Sequence, residues 1–204
     1  MARDRQSIVK MSRREGYALH PKAHKALVKR PTPPGQQKMG RPIKPSQYSL
    51  QLREKQKVKR LYGLLERQFS NLMKEADRRQ GQSGEILLQM LEQRADNAVY
   101  RAGFAPSRRA ARQLVTHGHF LLNETRIDIP SIQLKPGDTL KVRSHSQNTD
   151  YFKQLDGVSP APSTIPGWIK VNRKKGELTI ESLPTRDDAE QDINEQLIVE
   201  YYSR

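Results

Sequence analysis

The chain has 204 residues, 34% of them hydrophobic, and its 37 Lys and Arg against 22 Asp and Glu give a formal net charge of +15. The absence of cysteine excludes disulfides, cysteine-ligated zinc and thiol catalysis. Neither "MARDRQSIVKMSRREG" nor any later segment offers a signal-peptide core or the roughly 18 apolar residues of a membrane span, so the expectation is a soluble intracellular protein whose partner is a polyanion.

The charge is segregated. Residues 1–60 carry 17 Lys and Arg against three acids, a net of +14, whereas 61–93 net −1, 94–143 net +5, 144–176 net +3 and 177–204 net −6. Even basicity would serve solubility; segregated basicity reads as an electrostatic footprint.

Residues 1–45 are poor in apolar side chains and include "KRPTPPGQQKMGRPIKP", with five prolines and two glycines in seventeen positions. Such a segment buries too little to offset its ordering entropy. It is expected to be an extended basic arm, either a loose tail or one that orders on a phosphate backbone. From Ser46 the pattern turns helical. In "SQYSLQLREKQKVKRLYG", Leu50, Val58, Leu61 and Tyr62 share one arc, and Arg53, Lys55, Lys57, Lys59 and Arg60 lie outside it. That basic face is either solvated or a binding surface; five cations with a single acid favour binding. A second helix, about 64–79, places Leu65, Phe69, Leu72, Met73 and Ala76 inward. After the "GQSGE" break, Ser83 is a candidate N-cap for a third.

Residues 94–143 read as a small α/β unit. A short helix in "ADNAVYRAG" is closed by Gly103. The next is capped by Ser107 and ended by Gly118, with Ala110, Ala111, Leu114 and Val115 on one side and Arg108, Arg109 and Arg112 on the other. "HFLLN", "TRIDI" and "DTLKVR" follow as short strands, with a "KPGD" turn before the last. Residues 144–166 look linker-like, apart from a possible helix in "DYFKQL". "WIKVNRKKGELTI" alternates around a turn as a hairpin would. "DINEQLIVEYYSR" places Ile193, Leu197, Ile198 and Tyr201 on one face of a closing helix that packs back onto the others.

No Gly-rich phosphate loop, HExxH, nucleophile elbow or paired-carboxylate constellation is present. His20 and His24 have the spacing of one helical face but sit in the basic arm without a carboxylate. His117 and His119 flank Gly118, so their side chains are expected to diverge, and no third ligand is near in sequence. For that pair a structural role and hydrogen bonding or stacking on a nucleic acid both stand ahead of metal binding.

At this point the residues become familiar. "RADNAVYRAGFAPSRRAARQLVTHGHFLLNETRIDIPSIQLKPGDTLKV" resembles the alpha-L RNA-binding motif, in the form carried by bacterial small-subunit ribosomal protein four. "MSRREG", "PPGQQ", "YSLQLREKQKVKRLYGLLERQF" and "INEQLIVEYYSR" resemble that family too, so the likeness covers nearly the full length in the right order. It implies an α+β protein with an extended basic N-terminal arm, a helical lobe, and an inserted alpha-L lobe with a small antiparallel sheet. The corresponding divisions are an arm at 1–45, a helical lobe at 46–93 completed by a helix at about 190–204, the alpha-L domain at 94–158, and a linker with β-hairpin at 159–189.

The resemblance implies a non-enzymatic protein of the cytoplasmic ribosome. It would bind the five-prime domain of 16S ribosomal RNA, nucleate assembly of the small subunit, and line the channel through which messenger RNA enters, contributing to decoding accuracy. Small-subunit proteins three and five would be neighbours, and in some members the protein also binds its own messenger. No membrane, metal or other cofactor is implied. Carried over, the RNA-facing set is Tyr100, Arg101, Ser107, Arg108, Arg109, Arg112, Gln113, His117, His119 and Asn123, together with Arg3, Arg13, Arg14, Arg53, Lys55, Lys57, Lys59 and Arg60; Arg41 and Lys44 match the messenger channel.

Two departures matter. Some members hold zinc with four cysteines near the N-terminus; here Val9 and Ser12 stand where the first two would be, so the chain is of the metal-free type. Asn123-Glu124 replaces the usual Asn-Gly, which suggests another turn type, because Asn-Gly favours positive φ at both positions. The alpha-L motif also occurs appended to RNA-modifying enzymes and to a tRNA synthetase, but no segment here is left over for a catalytic domain. A DNA-binding reading lacks a recognition-helix dimer or zipper.

Overall fold

The computed structural model describes residues 6–35, 44–162 and 164–203. The chain divides into two compact units. One is built from Met1–Leu87 with Gln191–Arg204, the other from Leu88–Glu190, so the second is an insertion in the first.

The first unit is helical. Helices α1 (Ile8–Glu15) and α2 (Pro21–Lys29) occupy what was expected to be an extended arm. The reason is local. Gly16 ends α1 at φ +64°, its N–H donating to the Ser12 carbonyl, while His20 caps α2 by accepting the Lys22 N–H at 3.0 Å, with Pro21 at the first helical position. Met11, Leu19 and Ala23 are buried between them and pay the ordering cost the composition seemed to forbid. Apart from Pro21, the prolines of this region follow α2, where the described residues form no helix before α3.

Helix α3 (Gln47–Leu61) is capped by Ser46, whose hydroxyl accepts the Ser49 N–H. Of the expected arc, Val58 and Leu61, with Tyr62 at the helix end, are buried and Leu50 is exposed; Gln51 and Lys55 are buried in its place. Helix α4 (Glu66–Arg78) buries Phe69, Met73 and Ala76; Leu65 and Leu72 are only partly covered. Helix α5 (Ser83–Glu92) begins at Ser83 itself, and the division between the units falls within it. The closing helix is α11 (Glu195–Tyr202), capped by the Asn194 side chain and packed along α3 with Ile193 and Ile198 buried, as the periodicity predicts.

The second unit packs α6 (Ala95–Arg101) and α7 (Arg108–Thr116) with an antiparallel sheet of β1 (Phe120–Leu122), β2 (Thr125–Ile127), β3 (Thr139–Val142), β4 (Ile169–Asn172) and β5 (Glu177–Ile180), in the order β2-β1-β3-β5-β4. The hairpin at 169–180, expected to stand apart, is continuous with this sheet because β5 pairs with β3, Leu140 opposite Leu178. The core is Phe104, Phe120, Leu134, Leu140, Trp168, Leu178 and Ile180 with the apolar sides of α6 and α7. The "KPGD" turn forms as expected, Asp138 N–H donating to the Lys135 carbonyl with Gly137 at φ +91°. Residues 144–166 are not a bare linker: α8 (Ser144–Gln147), α9 (Asp150–Lys153) and α10 (Leu155–Val158) bury Ser146 and Leu155.

Candidate nucleic-acid interface

In the first unit most cations predicted to face RNA are engaged by the protein itself. The Glu15 carboxylate, fully buried, receives Arg53 at 3.3 Å and Arg60 in a close pair. Burial pushes the Glu15 carboxyl above its usual range despite the pull of Arg53 and Arg60. Lys55 is a correction to the sequence reading. Its side chain is 3% exposed, donates to Glu66 Oε1 at 2.7 Å, and lies 4.5 Å from the centre of the Tyr201 ring. Lys59 donates to Glu66 Oε2 at 2.8 Å and the Tyr202 hydroxyl to Oε1 at 2.9 Å. Burial alone would raise the Glu66 carboxyl, but hydrogen bonds from Lys55, Lys59 and Tyr202 outweigh it and hold the group at about 2. Lys57 pairs with Glu54 at 2.7 Å and donates to the Asp192 carbonyl. Arg13 donates to the carbonyls of Arg30, Thr32 and Pro33.

Among the cations open to solvent in this unit is a set on α1 and α2 that the sequence reading mostly missed. Lys10 and Arg14 on α1, and Lys22, Lys25 and Lys29 on α2, are exposed. The signal was the i, i+3, i+7 spacing of the three lysines, visible only once 21–29 is read as a helix. Lys44 is exposed just before α3, while Arg3 and Arg41 lie outside the described residues.

In the second unit α7 sorts its polar residues in two. Ser107 accepts the Ala110 N–H and serves as the predicted cap. Arg109, Gln113 and His117, at i, i+4 and i+8, form an exposed stripe opposite Ala111, Leu114 and Val115. Arg108 and Arg112 lie on the flank instead, where α6 reaches them; this corrects the expectation that all three arginines turn away from the protein. Arg108 sits 4.6 Å over the Tyr100 ring, donates to Asn97 Oδ1 at 2.9 Å and pairs with Glu190 at 3.1 Å. Arg112 approaches the buried Asp96 at 3.5 Å, and Asp96 also holds Arg94 in a bidentate pair. Arg101 forks onto the buried Glu92 at 2.8 and 3.0 Å.

The two histidines do not diverge. Their ring centres are 6.1 Å apart, with His117 exposed and His119 against the Ser146 hydroxyl at 3.0 Å and the Phe152 ring. Burial, then His117 and Arg143, push the His119 imidazole below its usual range, which favours its neutral form. Among the described residues no group of three metal-ligating side chains occurs, and no helix is long and apolar enough to cross a membrane.

Asn123 also changes role. Its amide donates to Asp138 at 2.8 Å and its carbonyl accepts the Thr139 N–H, which ties the β1–β2 turn to β3. Asn123 and Glu124 have φ of +46° and +67°, so the turn keeps the type I′ shape without its glycine, contrary to expectation. Across this hairpin Arg126, missed in the sequence, completes the exposed stripe. Its Nε lies 2.5 Å from where a Cβ on Gly118 would stand, next to His117. The alternation in "TRIDI", with Ile127 buried, was the available signal.

The fold and this surface define a basic α+β protein with an S4-type nucleic-acid-binding unit. The Ribosomal protein S4/S9 N-terminal domain family matches residues 3–92 and the S4 domain family residues 93–140. The small ribosomal subunit proteins uS4 of Pelodictyon phaeoclathratiforme and Chlorobaculum tepidum are 51% and 50% identical to the chain over 205 aligned residues, covering all of each sequence; that of Chloroherpeton thalassium is 49% identical, again over the full length. The chain belongs to the small ribosomal subunit protein uS4 family.

Proposed function

We propose that the chain is a structural, non-enzymatic constituent of the small ribosomal subunit in the cytoplasm, and that it binds the five-prime domain of 16S ribosomal RNA early enough to nucleate assembly. The observation that carries the reading is the stripe Arg109, Gln113, His117 and Arg126 in the second unit, left to solvent while neighbouring arginines are held by carboxylates. The exposed Lys10, Arg14, Lys22, Lys25 and Lys29 supply a second set of phosphate contacts. The paired Arg53, Lys57, Lys59, Arg60, Arg101, Arg108 and Arg112 shape these surfaces and reach phosphate only by exchanging a partner. Arg41 and Lys44 line the messenger channel beside proteins three and five, where they bear on decoding accuracy.

Titration against a five-prime-domain RNA fragment, with an unrelated structured RNA as control and at several salt concentrations, tests the reading. Selective binding that weakens as salt rises is expected. Equal weak binding to both RNAs would leave only a generic polyanion binder.

A further inference from the structure

We propose that Glu190 occupies a phosphate subsite in the second unit, its carboxylate holding Arg108 and Arg101 until an RNA phosphodiester takes its place. The proposal rests on the RNA-binding reading above. One Glu190 oxygen lies 3.1 Å from Arg108 and 3.7 Å from Arg101. The Arg108 guanidinium is also held by Asn97 Oδ1 at 2.9 Å and stacks on Tyr100 at 4.6 Å. Asn97 is in turn fixed by its amide on Glu92 at 2.7 Å. The guanidinium therefore keeps its position when the carboxylate leaves.

The carboxylates around these arginines are not equivalent. Glu92 and Asp96 have side chains 0% and 6% exposed, and each takes a forked guanidinium. Pulling either away would strand a buried charge. The Glu190 side chain is 30% exposed, so it can turn into water at small cost. Arg94, Arg101, Arg108 and Arg112 face Glu92, Asp96 and Glu190, four cations against three anions. A phosphodiester carries the same single charge and offers the guanidinium fork matching oxygens. Arg109, the next residue along α7, is exposed. An RNA that sets no phosphate at this point meets a carboxylate there, so Glu190 selects for shape.

The test is binding of the full-length protein and its Glu190→Gln, Arg108→Gln and double variants to the five-prime-domain fragment and to a control RNA, with each fold checked by circular dichroism. Glu190→Gln should bind the fragment up to about fivefold more tightly, the exchange value of an exposed ion pair. The gain should vanish in the Arg108→Gln background and shrink as salt weakens the internal pair. No gain, or an equal gain without Arg108, overturns the exchange. Should Arg108→Gln not fold, Arg108→Lys, which keeps charge but loses the fork, should reduce the gain by at least half; an undiminished gain overturns the proposal. If the wild type fails to prefer the fragment, the RNA reading fails first. Polyphosphate binding by the same variants then still decides the exchange: an Arg108-dependent gain keeps it and none ends it.

Discussion

Helices α3 and α7 are both rich in cations, and they dispose of them differently. On α3 every one is drawn inward: Arg53 and Arg60 to Glu15, Lys55 and Lys59 to Glu66, Lys57 to Glu54. On α7 two arginines are drawn to the flank and one stays outside with Gln113 and His117. Apart from Glu54, the α3 acids come from other elements. A cation-rich helix is thus a poor guide to a binding face until its partners across space are known. Lys55 shows the cost of ignoring them: the sequence pattern groups it with the other four cations of the face, and it is the least available of the five.

The largest effect that would sharpen the contrast is on stability. Glu66→Ala removes the common acceptor of Lys55, Lys59 and Tyr202 and leaves Lys55 buried without its partner. A loss of about 2–3 kcal/mol in denaturant unfolding is expected, less than for a fully buried pair because Glu66 is half exposed. RNA affinity of the folded fraction should change little; a large drop would return α3 to the interface.

Reversing the outer stripe should do the opposite. Arg109→Glu with Arg126→Glu is expected to weaken RNA binding by about 10- to 100-fold with an unchanged melting temperature. Arg108→Glu with Arg112→Glu, by contrast, places acids against Glu190 and Asp96 and should destabilise the second unit as well, visible in its circular dichroism melt.

The pH dependence separates the two helices further. Glu66 is held at about 2 in the folded chain against an ordinary value of 4.5, so its stabilisation is fully present above the unfolded value. It is lost as pH falls from about 4.5 through about 2. Glu66→Gln should flatten the acid limb of the stability curve over that window. An unchanged limb would show that other carboxylates govern it. The smallest effect is at the β1–β2 turn. Glu124→Gly at φ +67° should stabilise by about 1 kcal/mol and raise RNA affinity no more than twofold, read by thermal unfolding and titration.

Local signals carried much of this architecture. Ser46 and Ser107 announce helix starts, "KPGD" a turn, and the spacing of Ile193, Ile198 and Tyr201 a packing face. What local signals could not reveal is long-range. The pairing of β3 with β5, the seat of Lys55 between Glu66 and Tyr201, and the tie from Asn123 to Asp138 each join residues far apart in the chain. The arm misled for another reason. Its composition is dominated by prolines after residue 30, whereas 8–29 has its own caps and three buried apolar side chains. Among the site residues, outward position was legible for Arg109, Gln113 and His117 from the helical period, but the flank position of Arg108 and Arg112 needed the neighbouring helix.

The insertion of one unit within the other has a consequence for synthesis. Lys55 waits for Tyr201, Gln51 for Glu200, and Lys57 for the Asp192 carbonyl. All three partners leave the ribosome after the whole of residues 88–190. During translation the inserted unit, with its arginine stripe, has every residue it needs while the α3 seam is still open. A nascent chain can therefore close the polar seam of its helical unit only after the inserted unit has been made in full.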